Sequence, residues 1–336
     1  VGACNVEAAD TLSAAGLTVR HLPLSKAPRR TRHLAGRIVI QNTVGPKFEA
    51  TPGCQNVAFV HHEWDRYPSA WVARLDRFNE VWATTTFVAR TLKRSGVTVP
   101  VQLVRPALDL EPIPAKVDYA PSRPTTFIAC GAPHFRKGFH LLIEGYLRAF
   151  PRQGDATLTI HTTAPPEWTC PRTDIVFDVS QPGRPDMLAR FRAFDFFVSA
   201  SLGEGLGLPI AEAILAGVPV VTHDWGGHRD LLSAGRYVRV GHRVVPQPYC
   251  SRPDYYAPGQ RCAVVDVDDL ADAFRAAARM PAGRRRQMAD GAKRALLRRF
   301  GLRAAVRQLE RESPLLASAL LHSSVRAIVA RTGVRE

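Results

Sequence analysis

The sequence predicts an α/β protein made of two Rossmann-like domains, and three observations carry that prediction. Short apolar runs alternate with helical periodicities along the chain, as in βαβ architectures. A proline-rich segment containing Pro112, Pro114, Pro121 and Pro124 separates residues 1–113 from residues 125–312, so 114–124 reads as a linker. Finally, residues 193–230 read as strand, glycine-rich loop, helix, strand and loop. The loop of such a unit lies at the carboxyl end of a parallel strand, where open α/β sheets bind ligands.

In the first domain, Asn5 to Ala15 is predicted helical with Gly16 as its stop, leading to a strand over Leu17 to Leu22. Arg37 to Gln41 and Val57 to Val60 are apolar enough for buried strands, and the second runs into His61-His62-Glu63-Trp64. Trp71, Leu75 and Phe78 recur at helical spacing. Glu80 to Ala83 is a strand, and Thr84 to Thr86 supply a cap for the helix Phe87 to Ser95. Val101 to Val104 is the last strand before the linker.

The second domain opens with a strand around Phe127 to Gly131 and a helix over Leu141 to Ala149. Strands follow at Thr157 to His161 and Ile175 to Val179, then a helix from Met187 to Ala193 capped by Asp186. Phe194 to Ser199 suits a buried parallel strand, and Gly203, Gly205 and Gly207 allow sharp turns and close approach of the backbone to a ligand. Pro209 fits the first helical turn, Ile210 to Ala216 continues the helix to Gly217, and Val218 to Thr222 is the next strand. Residues 241–262 have no period and read as an extended loop, followed by amphipathic helices at Leu270 to Ala278, Arg284 to Phe300 and Leu302 to Glu312.

Two carboxylates frame the glycine loop. Glu204 precedes the helix and Glu212 lies about one turn inside it, with seven residues between them. A helix N-terminus offers unsatisfied N–H donors and partial positive charge, which suits phosphate. Carboxylates accept hydrogen bonds from sugar hydroxyls. Together they suit a phosphorylated sugar. A Glu in a helix as apolar as Ile210 to Leu215 is costly to bury without a partner, which favours a functional role for Glu212.

The run EGLGLPIAEA resembles the donor-site signature of the retaining GT-B glycosyltransferases, in particular glycosyltransferase family 4, the group 1 transferases. A second segment agrees: the strand FIACG is followed by APHFRKGFHLLIEGYLRAF, similar to the family's strand, Arg-Lys-Gly loop and helix. In the first domain, HHEWDRYPSAW and FNEVWATTTFVARTLKRSGV through VRPALD are similar to the family's N-terminal pattern. There is one departure. The family begins with a full strand and glycine loop, whereas here only Val1-Gly2-Ala3 could end such a strand, so a smaller first domain is expected.

The resemblance implies a GT-B fold, with nucleotide sugar on the second domain and acceptor on the first, and with Leu302 to Glu312 and the tail 313–336 crossing back to the first domain. It implies that Arg136 and Lys137 stabilise the departing diphosphate, while Glu204 and the backbone of Gly205, Leu206 and Gly207 hold the donor sugar. Glu212 would take the ribose hydroxyls. His62 is the expected first-domain residue near the reacting centre, since strand alternation turns only one of His61 and His62 toward the cleft and Glu63-Trp64 continue the family's loop. Asp65 is not expected to act as a general base and no enzymic nucleophile is offered, so front-side attack by the acceptor hydroxyl is implied. No metal is expected: the resembling family needs none, no Asp-x-Asp follows a strand in the manner of metal-dependent transferases, and His223 to Asp230, although rich in His and Asp, is similar to the family's Gly-Gly loop. The donor is expected to be a UDP- or GDP-sugar. The acceptor is expected to be a glycan, a glycolipid or a small molecule. Readings that stay open are a non-catalytic GT-B scaffold binding a nucleotide sugar or anionic polymer, and a sugar-nucleotide epimerase.

Composition narrows the setting. No apolar run reaches the roughly 18 to 20 residues of a membrane span, and VGACNVEAAD is unlike a secretory leader. The six cysteines are scattered without a C-x-x-C pair, as in reduced proteins of the cytoplasm. Net charge is +15, and residues 271–336 carry 15 of the 45 basic side chains but 5 of the 30 acidic ones. That bias admits peripheral contact with an anionic membrane. With few aromatics for base stacking in the tail, nucleic acid is not an expected partner.

Overall fold

The computed structural model describes residue 13 and residues 18–23, 37–108, 113–114, 116–164, 172–247, 257–313 and 326–331. It divides into two compact units: Val1–Leu110, Cys250–Gln260 and Leu297–Glu336 in the first, Glu111–Tyr249 and Arg261–Leu296 in the second. The expected helix Asn5 to Ala15 lies outside the described residues save Ser13, which is helical, and Val1 to Ala3 lie outside them entirely.

The first unit contains β1 (Thr18–Pro23), β2 (Ile38–Thr43), β3 (Gln55–Val60), α1 (Ser69–Leu75), β4 (Glu80–Ala83), α2 (Thr86–Arg94) and β5 (Val101–Leu103). Strands β2 to β5 pair in parallel, in chain order. Sequence explains why β3 is central: Val57, Ala58, Phe59 and Val60 are all buried, so both of its faces are covered. Ala58 and Val60 join Val81 and Ala83 on one face, packed by Trp71, Val72 and Leu75 of α1 and Val88 and Leu92 of α2. Thr85 caps α2 by accepting from the Val88 N–H at 3.3 Å. Gly45 lies flat against Trp71, where an added Cβ would come within 2.0 Å of the indole. Gly45→Ala is therefore expected to overpack this core and cost about 1–3 kcal/mol, read as a lower denaturation midpoint.

The second unit runs β6 (Thr125–Cys130), a 3-10 turn over Phe135–Lys137, α3 (Phe139–Ala149), β7 (Ala156–His161), β8 (Ile175–Asp178), α4 (Arg184–Phe191), β9 (Phe196–Ser199), α5 (Leu208–Leu215), β10 (Val220–Thr222), a 3-10 turn over Gly227–Leu231 and β11 (Val238–Arg239). Its sheet is parallel, ordered β11-β10-β9-β6-β7-β8. Chain order runs outward in both directions from the β6–β9 pair, so the carboxyl ends of these two strands form the topological switch point. Then come β12 (His242–Pro246), β13 (Arg261–Val265), α6 (Val267–Ala278) and α7 (Ala282–Phe300), within which the two units divide.

Residues Leu297–Glu336 group with the first unit. There α8 (Leu302–Glu312) is tied to the sheet's edge, with Gln308 accepting from the Arg105 N–H at 3.2 Å and the Ser313 hydroxyl donating to Glu80 at 2.5 Å. Beyond it, β14 (Arg326–Arg331) pairs in parallel with both β1 and β2, giving the order β1-β14-β2-β3-β4-β5. This strand is absent from the sequence reading, in which the tail carries no element of its own.

Two further expectations are corrected. Residues 241–262 are not one extended loop, because β12 and β13 pair antiparallel at its ends. Their alternation is too short, and β12 too exposed, to leave a hydrophobic period. Asp186 does not cap α4. Gly183 does, because Pro185 fits the first turn and starts the helix earlier, leaving Asp186 inside that turn beside the positive end of the dipole. Among the described residues, no helix is long and apolar enough to cross a membrane, and Cys54, Cys130 and Cys262 form no disulfide.

Candidate active site at the switch point of the second sheet

The expected residues Arg136, Lys137, Glu204, Gly205, Leu206, Gly207 and Glu212 all fall in the second unit, after β6 or β9. The chain leaves β6 through Gly131, makes the 3-10 turn Phe135–Lys137, and reverses at Gly138. Gly138 has φ +66°, and a Cβ there would lie 2.1 Å from the Ala200 carbonyl oxygen. Only glycine meets both conditions, which is why Arg-Lys is followed by Gly. The turn carries Arg136 and Lys137 to the loop that follows β9.

That loop, Ser201 to Gly207, is buried throughout. Lys137 Nζ lies 2.7 Å from Glu204 Oε1, and Arg136 Nη1 lies 3.4 Å from Oε2, with all three side chains at least 85% covered. Arg136 Nη1 also donates to the Gly203 carbonyl at 2.7 Å. The Leu202 N–H donates to the Arg136 carbonyl at 2.7 Å, and the Ser201 hydroxyl sits between the carbonyls of Arg136 and Gly203. The methylene stem of Lys137 packs on Gly131, where a Cβ would come within 3.0 Å of it. The two loops are thus one framework, cross-linked by backbone as well as charge.

Burial by itself would push the Glu204 carboxyl up. Lys137 foremost and Arg136 next outweigh it, with hydrogen bonds from Lys137 and Ser201, and hold the group at about 2. Glu204 is therefore an anion under all ordinary conditions. The ion pairs' contribution to stability is complete above about 4.5 and is lost as pH falls toward 2.

Gly207 enters α5 at φ +86°, Pro209 occupies its first turn and no side chain caps it, while the Ile210 and Ala211 N–H groups donate to the Gly207 carbonyl at 3.0 and 3.1 Å. Glu212 is half-buried one turn into α5. It acts on Cys130 at the end of β6: burial first and Glu212 next, with Asp178 and Glu204, push that thiol up to about 12 against the pull of Lys137. Cys130 is thus a neutral thiol within electrostatic reach of both Glu212 and Glu204.

His62 belongs to the first unit. It is 3% exposed, donates from Nε2 to the Arg66 carbonyl at 2.7 Å, and meets Tyr67 and Trp71 edge to face. Burial lowers its pKa. Residues the sequence reading gives no site role here are Ser201, His223 and His228. The two histidines stand in the His- and Asp-rich loop after β10, but what their ring nitrogens face is invisible in a one-dimensional pattern. Among the described residues, no group of three or more His, Cys, Asp or Glu is arranged to hold a metal ion.

Residues 124–278 match the family model described as Glycosyl transferases group 1. No curated protein matches the chain by sequence. Among solved structures, a variant of S. aureus TarM in complex with fondaparinux, alpha-GlcNAc-glycerol and UDP is similar at TM-score 0.55 and 10% identity, over 76% of this chain and 50% of that one. Anabaena HepE, in complex with UDP and glucose, is similar at TM-score 0.57 and 16% identity, over 80% and 72%. An alpha,alpha-trehalose-phosphate synthase (UDP-forming) from Burkholderia vietnamiensis gives TM-score 0.56 and 15% identity, over 80% and 68%. The chain spans about half the length of the TarM and pneumococcal GtfA structures it matches. At these identities the likeness is one of fold, and the fold is GT-B.

Proposed function

We propose that the protein is a glycosyltransferase that takes a hexosyl unit from a nucleotide-diphosphate sugar and passes it, with retention, to a hydroxyl of a glycan, glycolipid or small molecule. The observation that carries this reading is the Lys137–Glu204–Arg136 cluster at the β6–β9 switch point, beside Glu212 and the first turn of α5. Fixed cations and uncapped amides suit a diphosphate that gains charge as it leaves. The ionised Glu204 accepts from donor-sugar hydroxyls, and Glu212 from the two ribose hydroxyls. The matching family model over residues 124–278, and neighbours crystallised with UDP, support the same donor class.

In this reaction the bond from the anomeric carbon to the diphosphate oxygen breaks and a bond to the acceptor oxygen forms on the same face. The acceptor proton passes to the leaving phosphate. The residues at hand supply charge and position, without a nucleophile of their own. The donor is a UDP- or GDP-sugar, and we assign no metal a role. Exposed Arg284, Arg286, Arg294 and Arg298 on α7 extend the basic bias of the chain's last fifth. They favour an acceptor at an anionic membrane surface, with the protein on the cytoplasmic side.

The test is nucleotide release from a panel of UDP-, GDP- and ADP-sugars, without acceptor or added metal. Slow hydrolysis of one donor is the expected result and names the base. Absence of both release and calorimetric binding across the panel would overturn the reading in favour of a scaffold.

A further inference from the structure

The loop after β10 grips the Glu204 loop at its start, middle and end. His223 is fully buried, with Nε2 2.7 Å from the Ser201 carbonyl and Nδ1 3.2 Å from the Trp225 N–H. His228 is also fully buried, and its Nε2 lies 2.7 Å from the His223 carbonyl. The Gly227 N–H donates to the Glu204 carbonyl at 2.6 Å. A Cβ on Gly207 would reach 2.8 Å from the Cβ of His228, and one on Gly227 would reach 1.8 Å from the Gly205 carbonyl oxygen. The two imidazoles meet edge to face at 4.8 Å.

These partners fix the protonation of both rings. A carbonyl only accepts and an amide N–H only donates, so His223 must carry its proton on Nε2 and present a lone pair at Nδ1. A second proton would set two N–H groups against each other. His228 must likewise donate from Nε2, and its Nδ1 is buried with no hydrogen-bond partner. A proton there would be a buried donor without an acceptor.

We propose that His223 and His228 are positioning residues whose neutral, Nε2–H forms clasp the Glu204 loop in its binding geometry, so that acid opens the donor site by protonating them. The proposal deepens the donor-site reading and rests on it. The charged and titratable groups facing the pair are Glu204 from the gripped loop, Asp224 from their own loop, His242 from β12 and each other, with Arg239 of β11 paired to Asp224. Glu204 and Asp224 favour a proton, whereas burial, the largest cause, and the neighbouring histidines oppose it. Both pKa values lie below the usual 6.5. The sign follows: with the folded pKa lowered, the clasp's stability is complete above about 6.5 and is lost as pH falls below it. Glu204, held at about 2, does not titrate in that range.

The experiment measures binding of UDP-glucose and GDP-mannose, whose disubstituted diphosphates keep constant charge, between pH 7.5 and 5 in the full chain. Beside it, 15N NMR of the histidines and exchange of the Gly227 amide are followed in ligand-free protein. Affinity is expected to fall by about tenfold or more toward acid, in step with a falling protection factor for the Gly227 amide, its exchange rate being taken relative to the intrinsic rate at each pH. His228→Gln, whose amide still donates to the His223 carbonyl but does not titrate, should flatten the acid limb. His228→Leu should weaken binding more than His228→Gln at pH 7.5. An Nδ1–H tautomer or a charged ring at pH 7.5, or an acid limb unchanged in His228→Gln, overturns the proposal. If neither donor binds, the donor-site reading fails by itself. The NMR and exchange data, which need no ligand and no variant, still decide the clasp.

Discussion

Lys137→Ala is expected to lower donor turnover by about 10²- to 10³-fold, the usual effect of removing one preorganised group that meets charge developing in the transition state. The loss should fall mainly on kcat, because the ammonium gains most as the diphosphate departs. Single-turnover nucleotide release measures it. Lys137→Arg should restore little: the stem of Lys137 lies on Gly131, and a side chain 13% exposed leaves no room for a planar fork. The same change removes the strongest influence holding Glu204 ionised, so its pKa should rise from about 2 toward the ordinary 4.5. A Lys137→Ala protein with unchanged kcat would remove the cation from the mechanism.

Asp195→Ala is expected to be the most damaging stability change in the second unit, at about 3–5 kcal/mol. Asp195 and Arg285 form an ion pair at 2.5 Å with both side chains 1% exposed. Asp195 also accepts from the Thr126 N–H at 3.0 Å and from its hydroxyl at 3.2 Å, while Arg285 donates to the Met280 carbonyl at 2.8 Å and lies over Phe196. Removing the carboxylate strands a guanidinium whose pKa burial already lowers. The double change Asp195→Ala with Arg285→Met should recover much of the loss, since the apolar pair leaves no charge behind. Denaturant titration of the three variants provides the cycle. Additive losses would refute the coupling.

Both predictions draw on contacts of different legibility. The cluster of Arg136, Lys137 and Glu204 was readable because the signals that mark its loops are local. Glycine and proline around Glu204 and Glu212 mark a loop entering a helix, and Gly138 is required beside Arg136 and Lys137 by a left-handed turn. The parallel strands were readable because burial on both faces makes them continuous apolar runs, as at Val57 to Val60. Asp195 and Arg285 were not, since nothing in either segment reports a partner so distant in sequence. The histidine clasp was not, because hydrogen-bond direction depends on which carbonyl each ring nitrogen meets. The β12–β13 pairing escaped because it joins two short strands across an aperiodic stretch, and Asp186 misled because Pro185 starts the helix before it.

The position of β14 has a consequence for the order in which the protein can be made. It lies between β1 and β2, which precede the second unit in the chain, yet it follows every element of that unit. On the ribosome, β1 and β2 therefore emerge without the strand that joins them, and wait with unpaired edges until residues 326–331 arrive. The second unit has all its strands before then and can fold as it emerges. Among the described pairings, β1 with β14 spans the greatest separation in sequence, which makes closure of the first unit's sheet a slow event. Chaperone demand during synthesis should fall on the first unit, while β1 and β2 lack β14 between them.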